Sequence, residues 1–254
     1  GGSDVSISLY TRGYIKQNGL VFELSPLNQL NERYSEKMFN SLTSVYKYGA
    51  MSNPKVLTDY YTRRHTSQYR LHFASLADDY LTKAENAKQM SQVNLANSQL
   101  LRQNGQGAKA NELAQSANGV DSKVAAYKQK ARDLIHFSLK VMPADVVLDY
   151  GEPTSNGREK YTNGGVSLNA CSDGILHDYV RILFQAGDKK GAEELGNTVA
   201  DQLESILNYF VKSDAYFAGN PENRNDLCAA LASYFKLHMA VIDPENGNPS
   251  GALA

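Results

Sequence analysis

Tryptophan is absent from this 254-residue chain, and cysteine and proline are rare, with two and seven copies. Cys171 and Cys228 are too few and too far apart for a structural zinc site, which needs paired ligands at close spacing. They are either two small buried thiols or, in an oxidising compartment, a disulfide. The sequence alone leaves both alternatives open.

The chain also lacks an excess of charge of one sign, because 26 basic and 27 acidic residues give a net charge of −1. It therefore has no overall field that attracts nucleic acid or anionic lipid. No stretch offers the roughly 18 consecutive apolar residues of a membrane helix. We expect no nucleic-acid partner and no direct membrane insertion by this chain. Its first four residues lack a methionine and a signal-peptide pattern, which predicts an excised fragment.

Motifs for catalysis and cofactor binding are missing as well. The sequence has no Gly-x-Ser-x-Gly elbow, no phosphate-binding loop and no His-Glu-x-x-His pattern. Its five histidines are scattered, and the acidic pairs Asp78-Asp79 and Glu193-Glu194 point in diverging directions on a helix. We therefore expect no catalytic residue, no cofactor and no metal site, and we interpret the chain as a non-enzyme.

What the chain does contain is helical periodicity from residue 35 onward. A helix is predicted over 35–48, with Gly49 as its cap. The next helix follows Asn53-Pro54 and is predicted to bury Leu57, Tyr61, Tyr69, Phe73, Leu76 and Tyr80. Another covers about 122–142 and ends at Pro143, with Val124, Tyr127, Ala131, Leu134, Ile135 and Leu139 inward.

A second helical pair follows across the turn Ala186-Gly187-Asp188. Its first helix is predicted to bury Leu176, Tyr179, Val180 and Leu183. Its second helix is predicted to bury Ala192, Leu195, Val199, Leu203, Ile206 and Phe210. A last helix over 224–241 would bury Leu227, Leu231, Phe235 and Leu237.

The two helical pairs predict an all-α fold of tetratricopeptide-like hairpin repeats. Ala131, Ile135 and Pro143 have the spacing of the second helix of such a repeat. Tyr80 and Ala131 are much further apart than in a standard unit, so we interpret 83–127 as an inserted helical hairpin, with a flexible polar loop as the alternative. Repeats of this kind stack and bind partners on one face.

The sequence accordingly divides into three parts. Residues 1–30 form an extended segment, in which the alternating Val5, Ile7 and Leu9 and a candidate hairpin near Gly19 indicate short β-structure. Residues 31–242 form the helical repeat domain, which includes a long loop over 149–172. Residues 243–254 form a flexible tail.

One cluster has the residue types of a binding surface. Tyr60, Arg63, Arg64 and His65 lie within two turns of one predicted helix, and arginine interleaved with tyrosine can bind carboxylates, sugars or peptide. The alternative is structural, since arginines on such a helix commonly pair with acids such as Asp59 or Asp78. We retain these four residues as possible partner-binding residues.

Several short segments resemble the C-terminal region of a bacterial polytopic membrane-protein family, formerly catalogued as a domain of unknown function. The family's membrane-embedded part resembles protein O-mannosyltransferases. The resemblance covers about residues 14–242, although 83–127 is longer than expected for the family. The matching segments are Gly19-Leu20-Val21-Phe22 with Pro26, Met38-Phe39-Asn40, Lys47-Tyr48-Gly49, Asn53-Pro54, Asp59, Arg63 or Arg64, Arg70, Phe73, Leu76-Ala77, Met142-Pro143 and Gly187-Asp188 to Ala192.

The resemblance implies a periplasmic domain of an inner-membrane protein, with the full-length parent as the candidate glycosyltransferase. No residue of this chain matches the family's catalytic acid. The expected function is therefore docking of a protein partner or acceptor polypeptide beside the parent's own membrane-embedded N-terminal region. The alternatives are a structural or oligomerisation module and a carbohydrate-binding domain.

Overall fold

A computed structural model describes residues 14–18, 21–24, 35–56, 60–117, 119–147 and 175–212, together with Leu231, Tyr234 and Leu237. Most of this part of the chain is helical, which agrees with the predicted all-α class. The elements in chain order are strands β1 (Ile15–Asn18) and β2 (Val21–Leu24) and helices α1 (Ser35–Asn40), α2 (Tyr60–Gln103), α3 (Gly107–Ala117), α4 (Val120–Val141), α5 (Leu176–Gln185) and α6 (Lys189–Lys212). A π-helical turn, Ser41–Val45, continues α1.

The two strands form an antiparallel hairpin in the segment for which the sequence predicts β-structure. Ile15 pairs with Leu24, and Asn18 pairs with Val21. An ion pair of 2.8 Å between Lys37 and Glu23 connects β2 to α1. The alternating residues Val5, Ile7 and Leu9 lie outside the described residues.

Helices α2, α3 and α4 form a long helical hairpin. Helix α2 packs along both α3 and α4. Gly119, with φ +79°, separates α3 from α4, a conformation that glycine adopts without the strain of a side chain. The centre of the hairpin is fully buried, as the apolar periodicity predicts, through Phe73, Leu76, Tyr80, Ala131, Leu134 and Ile135.

The distal half of this hairpin, over 83–117, is packed differently from its centre. Its buried contacts come from small side chains, namely Ala84, Ser98, Ala110 and Ala117. A 3.2 Å hydrogen bond from Asn94 to Ser116 adds a polar contact. Large apolar side chains here point outward instead, since Met90, Val93 and Leu100 are all more than half exposed. The segment that the sequence singles out as an insertion is thus helical up to Ala117, with a short turn between α2 and α3.

Helices α5 and α6 form a second, shorter hairpin. Gly187 adopts φ +91° after α5, and the amides of Gly187 and Asp188 donate to Phe184 O and Leu183 O. This pattern is a Schellman motif, which ends a helix by satisfying its last carbonyls. Asp188 then accepts a 3.0 Å hydrogen bond from the Gly191 amide through Oδ1 and so caps the start of α6. Two α5 residues, Tyr179 and Val180, are buried as predicted.

The predicted end of the first helix is wrong. Helical structure stops at Val45, and Tyr46 is extended, with ψ 148°. Gly49 lies in a separate turn and does not cap the helix. The physical reason is Tyr48, whose ring enters the core between α2 and α4, a position that requires the chain to leave the helical path before it.

Parts of the sequence prediction fall on residues that the structure does not describe. These are the 149–172 loop, Cys171, Cys228, Leu57, Leu227, Phe235 and the 243–254 tail, together with the side chains of Tyr61 and Phe210. Of the last predicted helix, Leu231, Tyr234 and Leu237 are helical. Leu237 is buried in the core, and the Tyr234 hydroxyl donates to Glu204 at 2.9 Å. Among the described helices, none combines the length and apolar content that crossing a membrane requires.

Candidate functional site

A groove of about 330 Å³ lies between the segment 43–52 and the last turns of α4. This volume is at the lower end of the range for small-ligand sites, about 300–1,000 Å³. The polar residues Thr43, Ser44 and Ser52 line it together with Lys47 and Lys140. Aromatic rings and short backbone turns complete the lining, from Tyr46, Tyr48, Gly49, Phe137 and Val141.

The π-helical turn shapes one wall of this groove. The Tyr46 amide donates to Ser41 O, five residues earlier in the chain, at 3.0 Å. This hydrogen bond closes a wider turn than the bond to the fourth preceding residue in an α-helix. Wide turns of this kind occur often at functional sites. The Thr43 hydroxyl donates back to Phe39 O at 2.8 Å, so its oxygen is used inside the turn. The hydroxyl of the neighbouring Ser44 lies on the exposed side.

The floor of the groove is aromatic. Tyr48 is buried, and its hydroxyl donates to Leu42 O at 2.7 Å. Burial, with smaller contributions from Tyr46 and Tyr69, raises the pKa of Tyr48 far above its usual range, so the phenol keeps its proton. The Tyr48 ring packs edge-to-face on Phe137, with centroids 6.2 Å apart. These contacts fix the apolar surface over which a ligand would lie.

The electrostatic character of the groove is positive. Lys47 and Lys140 are exposed, and the lining residues that are described include no aspartate or glutamate. Neither ammonium has a carboxylate partner among the residues whose placement is described. Sequence reasoning missed this pair because the two lysines are far apart in the chain and share no motif. Only the packing of the 43–52 segment on α4 brings them into one groove.

The four residues that the sequence offered as partner-binding lie close to this region in the fold. Tyr60, Arg63, Arg64 and His65 are on the first two turns of α2, and their side chains lie outside the described residues. The next residue, Thr66, contacts Met51, with 3.5 Å between its hydroxyl and the sulfur. The start of α2 therefore adjoins the turn that carries Ser52.

Arg70 is structural rather than part of an exposed binding cluster. It is completely buried, and its Nη2 donates to Met142 O at 2.9 Å and to Val147 O at 2.7 Å. A longer bond of 3.4 Å reaches Pro143 O. The guanidinium thus joins α2 to the segment that follows α4, beginning with the carbonyl of its C-cap residue Met142.

The acidic pair Asp78-Asp79 is also occupied by structural contacts. Asp78 accepts from both terminal nitrogens of Arg181, at 3.1 and 2.9 Å, so it joins α2 to α5 rather than pairing with an arginine of α2. Burial works against the charge of Arg181, but the bonds from Asp78 and Asp178 outweigh it and raise the pKa of this guanidinium. The two carboxylates serve different elements, as their diverging directions predict.

Ser35 and Lys83 are hydrogen-bonded, an arrangement that in some hydrolases activates a serine. Here the Lys83 ammonium also forms a 2.9 Å ion pair with Asp79 and lies 5.5 Å from the Tyr80 ring centroid. Ser35 itself donates to Asp79 at 2.6 Å and is buried. Lys83 therefore acts as a donor that fixes the start of α1 on α2, and the serine is not presented to a substrate.

His136 and Asp188 make a third polar contact, 2.7 Å from Nε2 to Oδ2, between α4 and the α5–α6 turn. The Gly191 amide, and secondarily His136, lower the pKa of Asp188. Arg132 reinforces the same junction by donating to Ala186 O at 2.8 Å. Within the described ranges, no three His, Cys, Asp or Glu side chains are grouped closely enough to hold a metal ion.

No protein-family model, curated protein or solved structure matches this chain.

Proposed function

We propose that this chain is a non-catalytic helical domain that docks a segment of a protein partner or acceptor polypeptide. The observation that carries the proposal is the groove between 43–52 and α4. It combines an aromatic floor with exposed serines and two lysines, which suits a chain segment with both apolar and polar groups. Tyr60, Arg63, Arg64 and His65, on the neighbouring first turns of α2, are part of the proposal as possible partner-binding residues.

The cellular setting of this docking is part of the proposal and comes from the family resemblance. We place the domain in the periplasm, as part of an inner-membrane protein whose membrane-embedded region is glycosyltransferase-like. The repeat character of the helices belongs to the same proposal. Docking there would hold an acceptor polypeptide close to a membrane-embedded active site, which raises its local concentration.

The first test uses the full-length parent. Deleting residues 31–254 should reduce glycan transfer to protein acceptors while binding of the lipid-linked sugar donor is retained.

Because a large deletion can perturb the remaining protein, a second variant fills the groove. Ser44→Trp places a large ring at an exposed lining position, and Gln92→Trp on α2 serves as its matched control. Unchanged transfer in both the deletion and the Ser44→Trp variant would contradict the docking role.

A second function, oligomerisation, is favoured by one specific observation. Met90 is 62% exposed, and Val93 and Leu100 lie on the same face of α2 at helical spacing. Exposed apolar side chains grouped in this way are typical of contact surfaces. Light scattering over a concentration series would detect self-association, and Val93→Glu should abolish it while Gln92→Glu should not. A strictly monomeric chain at high concentration would remove this alternative.

A further inference from the structure

We infer that the segment bound in the groove is acidic, with aspartate or glutamate side chains placed against Lys47 and Lys140 and an apolar side chain against Phe137. This inference rests on the proposed docking function and specifies the chemistry of its partner. The argument has three steps, which concern the charge of the groove, the shape of the groove and the end of α4.

Charge is the first step. Lys47 and Lys140 line the same recess, and none of the lining residues that the structure describes carries a carboxylate. Some of the other surface lysines that the structure describes do have acidic partners. Lys37 pairs with Glu23, Lys130 with Glu36 and Lys190 with Glu194. A groove that keeps two positive charges uncompensated selects a ligand of opposite charge and disfavours a basic one.

The second step concerns the end of α4, where a cation can be explained by the helix itself. Lys140 lies in the last turn, and a helix C-terminus carries a partial negative charge that favours lysine. A buried cation also acts at this end from inside, because Arg70 donates to the carbonyls of Met142 and Pro143, directly after α4. Lys140 itself is exposed and accessible to a ligand, and Lys47 is an exposed residue outside the helix.

The third step distinguishes a polypeptide from an anionic membrane surface. The groove is a recess whose lining includes the buried Tyr48, the half-buried Phe137 and the exposed Ser44 and Ser52. A recess of this kind accepts a side chain and offers hydroxyls to a peptide backbone. A lipid surface is flat and attracts proteins through clusters of several basic residues, whereas the chain as a whole has a net charge of −1. These features favour an acidic peptide segment over a lipid headgroup layer.

The test measures binding of a fluorescein-labelled acidic peptide, containing Asp, Glu and one Phe, to the intact 254-residue chain by fluorescence polarisation. Its matched amide peptide carries Asn and Gln in place of the acids. We expect the acidic peptide to bind more tightly than the amide peptide, and added salt to reduce the difference. Lys47→Ala and Lys140→Ala should each weaken binding about threefold, and the double variant about tenfold.

Control variants and alternative ligands make each outcome decisive. Lys190→Ala on α6 removes an exposed lysine remote from the groove and should leave affinity unchanged, and circular dichroism confirms that all variants fold. Equal binding of both peptides, or unchanged binding by the double variant, would overturn the acidic specificity but leave docking intact. Binding to phosphatidylserine–phosphatidylcholine vesicles without binding to either peptide would overturn both the inference and the proposed docking function.

Discussion

His136 Nε2 lies 2.7 Å from Asp188 Oδ2, so one side chain of α4 contacts the residue that both follows α5 and caps α6. The junction between the two helical hairpins is therefore polar as well as apolar. Its strength depends on the ionisation of Asp188, because the Gly191 amide and the His136 ring both interact with the carboxylate.

The first prediction concerns the pH dependence of this junction. The pKa of Asp188 is lowered in the folded state. A lowered folded pKa contributes stability that is present above the unfolded carboxyl's range, about pH 4, and is lost as pH falls through the folded value. Asp188→Asn keeps a capping side chain without the charge. We expect it to be about 1 kcal/mol less stable than the parent chain at neutral pH, with the difference vanishing in acid. Urea unfolding at several pH values measures this.

The histidine supplies the control for that experiment. The hydrogen bond from the Gly191 amide is the largest cause of the Asp188 shift, ahead of His136. The same comparison in a His136→Ala background should therefore keep most of its pH dependence. A difference between aspartate and asparagine that is constant with pH would contradict the assignment of the cap.

A second prediction uses the close contact at Gly191. A methyl group there would overlap Asp188 Oδ2 and lie 2.9 Å from its Cγ. Alanine normally stabilises a helix by about 1 kcal/mol over glycine. We expect Gly191→Ala to give no such gain in the parent chain, because the methyl group displaces the capping carboxylate. In the Asp188→Ala background the full gain should return, which thermal unfolding of the four proteins can measure. Equal effects in both backgrounds would exclude the contact.

A third prediction addresses the buried guanidinium of Arg70. Arg70→Met keeps the length of the side chain but leaves the carbonyls of Met142 and Val147 without this donor. We expect a loss of about 3 kcal/mol in the free energy of unfolding, as for other buried charged hydrogen bonds. Arg102→Met, at an exposed position of the same helix, should change it by less than about 0.5 kcal/mol. Equal urea midpoints for both variants would show that the bonds of Arg70 are dispensable.

The fourth prediction concerns a hydroxyl shared by three helices. Tyr179 Oη lies 2.6 Å from Ser138 Oγ and donates to Arg70 O at 3.2 Å, so α5, α4 and α2 meet at one buried atom. Tyr179→Phe should cost about 1–2 kcal/mol. Ser138→Ala should cost less in the Tyr179→Phe background than in the parent chain, because the two hydroxyls act together. Tyr127→Phe, at a half-buried stacking position, is the control, and additive effects would contradict the shared bond.

The sequence predicts the core helices well because their apolar residues repeat at helical spacing. Leu134 and Ile135, like Tyr179 and Leu183, are buried where the periodicity places them. The Gly187-Asp188 turn is likewise readable, since glycine after a helix and aspartate before the next are local signals. These features depend on residues close together in the chain.

The missed features depend on contacts between distant residues. Nothing local in the sequence indicates that Arg70 is buried beside the end of α4. Nor does it indicate that Tyr48 enters the core, so that the helix ends in a π-helical turn at Val45. Lys47 and Lys140 look like ordinary surface residues until the fold brings them together. The partner-binding role of Tyr60, Arg63, Arg64 and His65 stays a prediction.

Helix α2 is one continuous helix of 44 residues, about 66 Å long, with two kinds of packing along it. Aromatic and branched side chains secure its inner half, whereas alanine and serine contacts secure the outer half. The backbone amides of the outer half should therefore exchange with deuterium well before those near Phe73 and Tyr80. A single uninterrupted helix would then open in two stages, so that its tip can unwind and reform while the core, including the Tyr48–Phe137 floor, stays folded.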